Sequence, residues 1–130
     1  MRNILVIGIV LFATLFNSCN DDDDTGSSME QEQQVLIAML NEIQTIVNST
    51  SCIDATKWTY TAIGAKACGG PMDYIAYSTT IDIEDFLKKV NAYTDLEDAF
   101  NKKWGIISDC SIEPEPKGVA CEDEKPTLLY

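Results

Sequence analysis

Cysteine is the residue type with the widest chemical range in this chain, standing at positions 19, 52, 68, 110 and 121. A thiolate can act as nucleophile, metal ligand or half of a disulfide. Histidine is absent. That removes the usual general base near neutral pH and the commonest nitrogen ligand for metals. Cys52, Cys68, Cys110 and Cys121 contain no C-x-x-C pair, so their spacing does not suit zinc. As disulfide partners, four cysteines allow three pairings. The favoured expectation is Cys52–Cys68 with Cys110–Cys121, each closing a short turn-containing segment and contributing roughly 3 kcal/mol in the chain-entropy model. The nested alternative, Cys52–Cys121 with Cys68–Cys110, ties the two ends of the domain together. The crossed pairing is the least favoured.

Other residues offer less chemistry. Glu84/Asp85 and Asp95/Asp98 fall in the first turns of expected helices, where acids complement the dipole. Ser78, Ser108 and Ser111 have no histidine to activate them. Gly64-x-x-x-x-Gly69 lacks the Lys-Ser/Thr of a phosphate loop. Asp21–Asp24 lacks the alternation and Gly of an EF-hand loop. The expectation is a protein that is not an enzyme and takes no cofactor or metal, an enzyme being the distant alternative.

Two binding readings compete. Trp58, Tyr60, Tyr74 and Tyr77 could form an aromatic contact patch for a protein or glycan; the bland alternative is that they fill the core. Lys66 lies in a Gly-rich stretch two positions before Cys68. On a disulfide-held loop it would be the specificity residue of an inhibitor of a secreted hydrolase, a protease or a lysozyme, because rigid loops bind at low ordering cost. The bland reading of Lys66 is a solvated side chain.

The chain has 130 residues, 9 basic and 21 acidic, for a formal net charge of −12. This balance lacks the basic footprint that nucleic acid requires. One domain is natural at this length, and a domain of this size benefits from staples.

The elements that position these residues follow from pattern. Ser28-Met29-Glu30-Gln31 reads as a capping box, with Ser27-x-x-Glu30 a one-residue alternative. Leu36, Leu40, Ile43 and Val47 recur at helical spacing, so a helix is expected from about Met29 to about Asn48. Asn48-Ser49-Thr50 matches a glycosylation acceptor and is taken as the helix end. Trp58–Ile63 is aromatic and β-branched and suits a strand, and Tyr74–Tyr77 a second. Asp82 reads as an N-cap, with Ile81 and Phe86 placed for a hydrophobic staple. Phe86, Val90 and Tyr93 continue helically. Thr94-Asp95-Leu96-Glu97 forms another capping box, so the region is one kinked helix or two helices broken at Thr94. Gly105–Ser108 and Gly118–Cys121 are short extended candidates. The expected fold class is α+β: two main helical regions on a small, irregular strand element, disulfide-stapled. Its core would contain Ile43, Val47, Phe86, Val90, Phe100 and Trp104.

The N-terminal region reads as an address. Ile4–Phe16 is apolar, follows Arg2, and is too short to span ~30 Å of hydrocarbon, as in a secretory signal. Leu15-Phe16-Asn17-Ser18-Cys19 resembles a bacterial lipobox, and Asp21–Asp24 after it resembles the acidic export tether of Bacteroidota-type surface lipoproteins. The resemblance implies a signal peptide over residues 1–18, lipidation of Cys19 and a flexible tether over 19–28, followed by a domain over 29–130. It further implies an outer-membrane protein facing the cell exterior, the periplasmic face being the alternative. Its partners would be the membrane, through the lipid anchor, and an unidentified protein or glycan. Cys52, Trp58, Gly64–Pro71, Tyr74–Ser78, Asp82 and Ser108–Cys110 are similar to a small group of secreted or lipid-anchored bacterial domains with four cysteines. That resemblance covers residues 52–121, implies a fold unit and brings no activity with it.

Overall fold

The computed structural model describes residues 27–130. The expected signal peptide over residues 1–18, the expected lipidation position Cys19 and the Asp21–Asp24 run lie outside the described residues. The elements run α1 Met29–Asn48, β1 Trp58–Ile63, β2 Asp73–Ser78, α2 Ile83–Trp104, β3 Gly118–Glu122 and β4 Lys125–Leu129, with one 3-10 turn at Ala55–Lys57. The fold is α+β: two helices and two antiparallel hairpins, β1–β2 and β3–β4.

Both helices begin where their caps dictate. The Ser28 hydroxyl accepts from the Gln31 amide, and the Gln31 side chain accepts from the Ser28 amide, which satisfies two otherwise orphaned donors. The Asp82 carboxylate accepts from the Asp85 amide, while Ile81 and Phe86 share one hydrophobic cluster. Gly105 ends α2 in the left-handed region at φ 62°, a conformation open to glycine without a Cβ penalty.

The main core lies between α1, α2 and one face of β1–β2. Ile43, Phe86, Val90, Phe100, Ile63, Tyr77 and Tyr93 are buried in it. Val47 and Trp104 are half-buried and pack against it. The second cluster, Cys52, Trp58 and Ala76 with Val119, Cys121 and Leu128, fills the space between the two hairpins. Val47 touches both clusters. The β1–β2 hairpin is therefore covered on both faces. This explains why its sequence does not alternate cleanly between apolar and polar residues.

Three elements differ from the sequence expectation. First, α2 runs unbroken from Ile83 to Trp104. Thr94 does not cap a new helix; its hydroxyl donates to the Val90 carbonyl at 2.9 Å inside the helix. Second, Gly105–Ser108 is not a strand: Gly105 closes the helix and the following residues are irregular. Third, β4 pairs with β3 through a turn whose central residues, Asp123 and Glu124, both have positive φ (49° and 61°). Tight hairpin turns require this sign, and Asn or Gly usually supplies it, so the sequence carried no hairpin signal there. The Cys52 amide donates to the Glu124 carbonyl at 2.8 Å and holds this turn to the rest of the fold.

The α1 and α2 ends are fastened by Glu32. Its carboxylate takes the Trp104 indole N–H at 2.8 Å, the Lys103 ammonium and the Ser27 hydroxyl. Chiefly through Lys103, then Ser27 and Trp104, these donors hold the Glu32 carboxyl down at about 2, against an ordinary value of about 4.3. A depressed carboxyl contributes stability that is present above the unfolded pKa and is lost as pH falls through the folded one. Thermal melts of wild type and Glu32→Gln should therefore differ at neutral pH and converge between about pH 4 and pH 2. Equal acid sensitivity of the two proteins throughout that window would show that the Glu32 contacts do not fasten the helices.

Candidate functional site

The sequence-derived site residues converge on one region only in part. The loop joining β1 to β2, residues 64–72, folds against the irregular segment after α2, residues 106–113. This brings together the two sequence blocks Gly64–Pro71 and Ser108–Cys110. The loop is seated on α2 by three polar side chains: Thr94 and Glu97, which the sequence reads as a capping box, and Asn101, which it does not single out. The Gly64 amide donates to the Thr94 hydroxyl at 3.0 Å and the Ala65 amide to the Glu97 carboxylate at 2.8 Å. The Asn101 amide donates to the Ala65 carbonyl at 2.8 Å. Thr94, Glu97 and Asn101 are spaced i, i+3, i+7, so they share one helix face. Polar residues on a core-facing stripe were the available signal. Gly64 has φ 74°, and a Cβ there would stand 2.6 Å from a Glu97 carboxylate oxygen, so this close approach requires glycine.

Lys66 is internal, which corrects its reading as a projecting specificity residue. Its side chain is 3% exposed. The ammonium donates to the Ser111 carbonyl at 2.8 Å, the Ser111 hydroxyl at 3.0 Å, Glu113 at 2.9 Å and Asp109 at 3.3 Å. The Glu113 hydrogen bond, followed by that of Asp109, raises the Lys66 pKa against the opposing effect of burial. A buried ammonium without partners is costly, so these acceptors fix residues 109–113 against the loop.

One pair follows the nested order, and the other two cysteines are unbonded thiols. Cys52 and Cys121 form a disulfide across a separation of 69 positions, with Cα atoms 5.2 Å apart. The favoured short-loop pairing, Cys52–Cys68 with Cys110–Cys121, is overturned. Its premise was local: each short segment contains turns. The structure instead places Cys52 beside β3 in the cluster between the hairpins. Cys68 and Cys110 are exposed thiols on adjoining segments of one cavity wall. The Cys68 sulfur also lies 3.5 Å from the Ser108 hydroxyl and 3.5 Å from the Asp109 carbonyl. The hydrogen bond from Cys110, then that from Ser108, lowers the Cys68 pKa. The same partnership, with Cys68 ionising first, raises that of Cys110. Both line a cavity of about 230 Å³ with Gly69, Gly70 and Pro71.

The four aromatic candidates do not make one patch. The pairing register sets Trp58, Tyr60 and Tyr74 on one face of β1–β2 and Tyr77 on the other. Trp58 is buried between the hairpins, and Tyr77 is buried against Phe86 with ring centroids 4.8 Å apart. These two belong to the core. Tyr60 and Tyr74 are half-buried and meet edge to face at 6.0 Å. The Tyr60 hydroxyl reaches Glu115 at 3.5 Å. Burial first, and the Glu115 charge second, raise the Tyr60 pKa, so it stays a neutral donor.

Among the described residues, no cluster of His, Cys, Asp and Glu has the makings of a metal site, and no helix is long and apolar enough to cross a membrane. No protein-family model, curated protein or solved structure matches the chain.

Proposed function

We propose that this chain is a lipid-anchored, non-catalytic binding or structural protein of a bacterial envelope, carried on Cys19 and facing the cell exterior. The observation that carries this reading is the run Leu15–Cys19 behind the apolar stretch Ile4–Phe16, followed by four aspartates. The position of the first cap supports it. Ser28 opens α1, so residues 20–27 separate Cys19 from the folded domain and reach roughly 26–29 Å when extended. Four adjacent carboxylates repel one another and favour such extension. The acyl chains contribute about 0.8 kcal/mol per buried CH₂. The domain from residue 29 onward carries 17 acidic and eight basic residues, so it has no attraction of its own for anionic lipid. Tyr60 and Tyr74, with apolar rings and polar tips at the surface, are the aromatic pair available to a protein or glycan ligand.

Cell fractionation tests the anchor. Wild type belongs in the membrane fraction, and Cys19→Ala should move essentially all of it out. Retention of Cys19→Ala in the membrane overturns the reading. Protease shaving of intact cells tests the face. The wild-type protein should be digested, while a variant with Asp21–Asp24 replaced by Asn should stay membrane-bound but protected. Equal shaving of both would reduce the acidic run to a solvated linker.

A further inference from the structure

The two disulfide-capable pairs of this domain sit in opposite environments. Cys52 is 2% exposed and its bond to Cys121 is packed among Trp58, Ala76, Val119 and Leu128. Cys68 and Cys110 are both exposed. Their two chain segments are held together by contacts that do not involve sulfur. Lys66 binds Asp109, Ser111 and Glu113, and the Ala67 amide donates to the Ser108 hydroxyl at 3.0 Å. Lys66 and Ser108 are each two positions from one of the thiols, so both sulfurs stay placed without a bond between them. On the Cys68 side, the Lys66 amide and carbonyl are tied to Gly70 and Gly69 at 3.0 and 2.9 Å, forming a compact turn around the sulfur.

We propose that Cys68 and Cys110 are an exchangeable dithiol–disulfide site for small disulfides, with Cys68 the attacking sulfur and Cys110 the resolving one. The assignment of roles follows the surroundings. Cys68 has the Ser108 hydroxyl at 3.5 Å to support a thiolate. Ionisation of Cys110 is opposed first by its Cys68 neighbour and burial, and further by the carboxylate of Asp109 beside it in sequence.

In the first step the Cys68 thiolate attacks one sulfur of R–S–S–R. A bond forms between the Cys68 sulfur and the attacked sulfur, the S–S bond of R–S–S–R breaks, and RS⁻ leaves and takes a proton from solvent. In the second step Cys110 gives its proton to solvent and attacks the Cys68 sulfur, expelling the second RS⁻. The two protein thiols are oxidised to one disulfide and the small disulfide is reduced to two thiols. The reverse sequence consumes small thiols. Because the Lys66 contacts hold the segments without involving sulfur, the exchange does not require the fold to open. Exposed disulfides are the labile ones, and buried ones resist reduction.

The site is independent of the anchor, so the test uses the full chain carrying Cys19→Ala in mild detergent, where only the four domain cysteines report. The first arm is graded glutathione redox buffer, followed by alkylation and peptide mass analysis. Cys68 and Cys110 should become alkylated together at potentials where Cys52–Cys121 stays closed and the circular dichroism is unchanged. Loss of Cys52–Cys121 at the same potential, or loss of structure with it, overturns the proposal. The second arm uses oxidised glutathione on the reduced site. Cys110→Ser should accumulate a stable glutathione adduct on Cys68, and Cys68→Ser should form its adduct on Cys110 at least tenfold more slowly. Equal rates, or a faster Cys110, overturn the assignment. The third arm needs no substitution at either thiol: alkylation of the reduced site across pH should label Cys68 at a lower pH than Cys110. The opposite order again overturns it.

Discussion

Replacing Cys52 and Cys121 together by alanine lowers the unfolding free energy by about 4 kcal/mol. The chain-entropy relation gives this figure for a closed loop of this length, and the separation of the partners is 69 positions. A short-loop staple would contribute roughly 3 kcal/mol on the same relation. The bond spans most of the domain: it joins the chain just after α1 to β3, in the last hairpin. In its absence the β3–β4 hairpin keeps the Cys52 amide to Glu124 hydrogen bond and the apolar packing of Val119 and Leu128. These are few contacts for a two-stranded element that is marginal alone. Denaturant titration of wild type and the double variant measures the loss directly. The melting midpoint should fall by on the order of 20 °C for a domain of this size. A difference below ~1 kcal/mol would mean that the packing between the hairpins, not the bond, fixes the C-terminal hairpin.

Phe86→Ala should cost about 3–5 kcal/mol, the range for truncating a buried aromatic, and it belongs near the top of that range. Phe86 is 0% exposed. It stands where α1, α2 and the β1–β2 hairpin meet, among Ile43, Val90, Ile63 and Tyr77. A site bounded by three elements cannot collapse without moving one of them, so the cavity term stays large. The Tyr77 ring, 4.8 Å away between centroids, would lose its aromatic neighbour as well. Phe86→Leu keeps most of the volume and should cost less than half as much. Urea unfolding with unchanged slope separates lost stability from an altered unfolded state. A loss under ~1.5 kcal/mol for Phe86→Ala would show that the main core repacks freely. Phe86 and the Cys52–Cys121 bond lie in different clusters, bridged only by Val47 among the partly buried residues. Their effects should therefore nearly add. Together they approach the whole stability of a typical ~5–15 kcal/mol domain.

The sequence by itself determined what is written within one or two turns of chain. The helix starts at Ser28 and Asp82 were legible because a cap acts on an amide three residues away. The apolar phase that buries Ile43, Phe86, Val90 and Phe100 was legible because helical spacing repeats every three to four residues. Gly105 marked the end of α2 for the same local reason. The tertiary structure decided everything that joins residues far apart. The partner of Cys52 stands 69 positions away, beyond anything a short turn-containing segment could indicate. The fate of Lys66 depended on acceptors 43 to 47 positions later, without which its charge would have stayed in water. Trp58 and Tyr77 look alike in the sequence as aromatic strand residues, yet the register places them on opposite faces, each beneath a different layer. Thr94 and Glu97 spell a capping box locally, and a loop 30 to 32 positions earlier takes them instead. Backbone amides turning over Gly64 needed acceptors more than the middle of α2 needed a second start, because a buried amide left unpaired costs more than an uninterrupted helix gains from another cap.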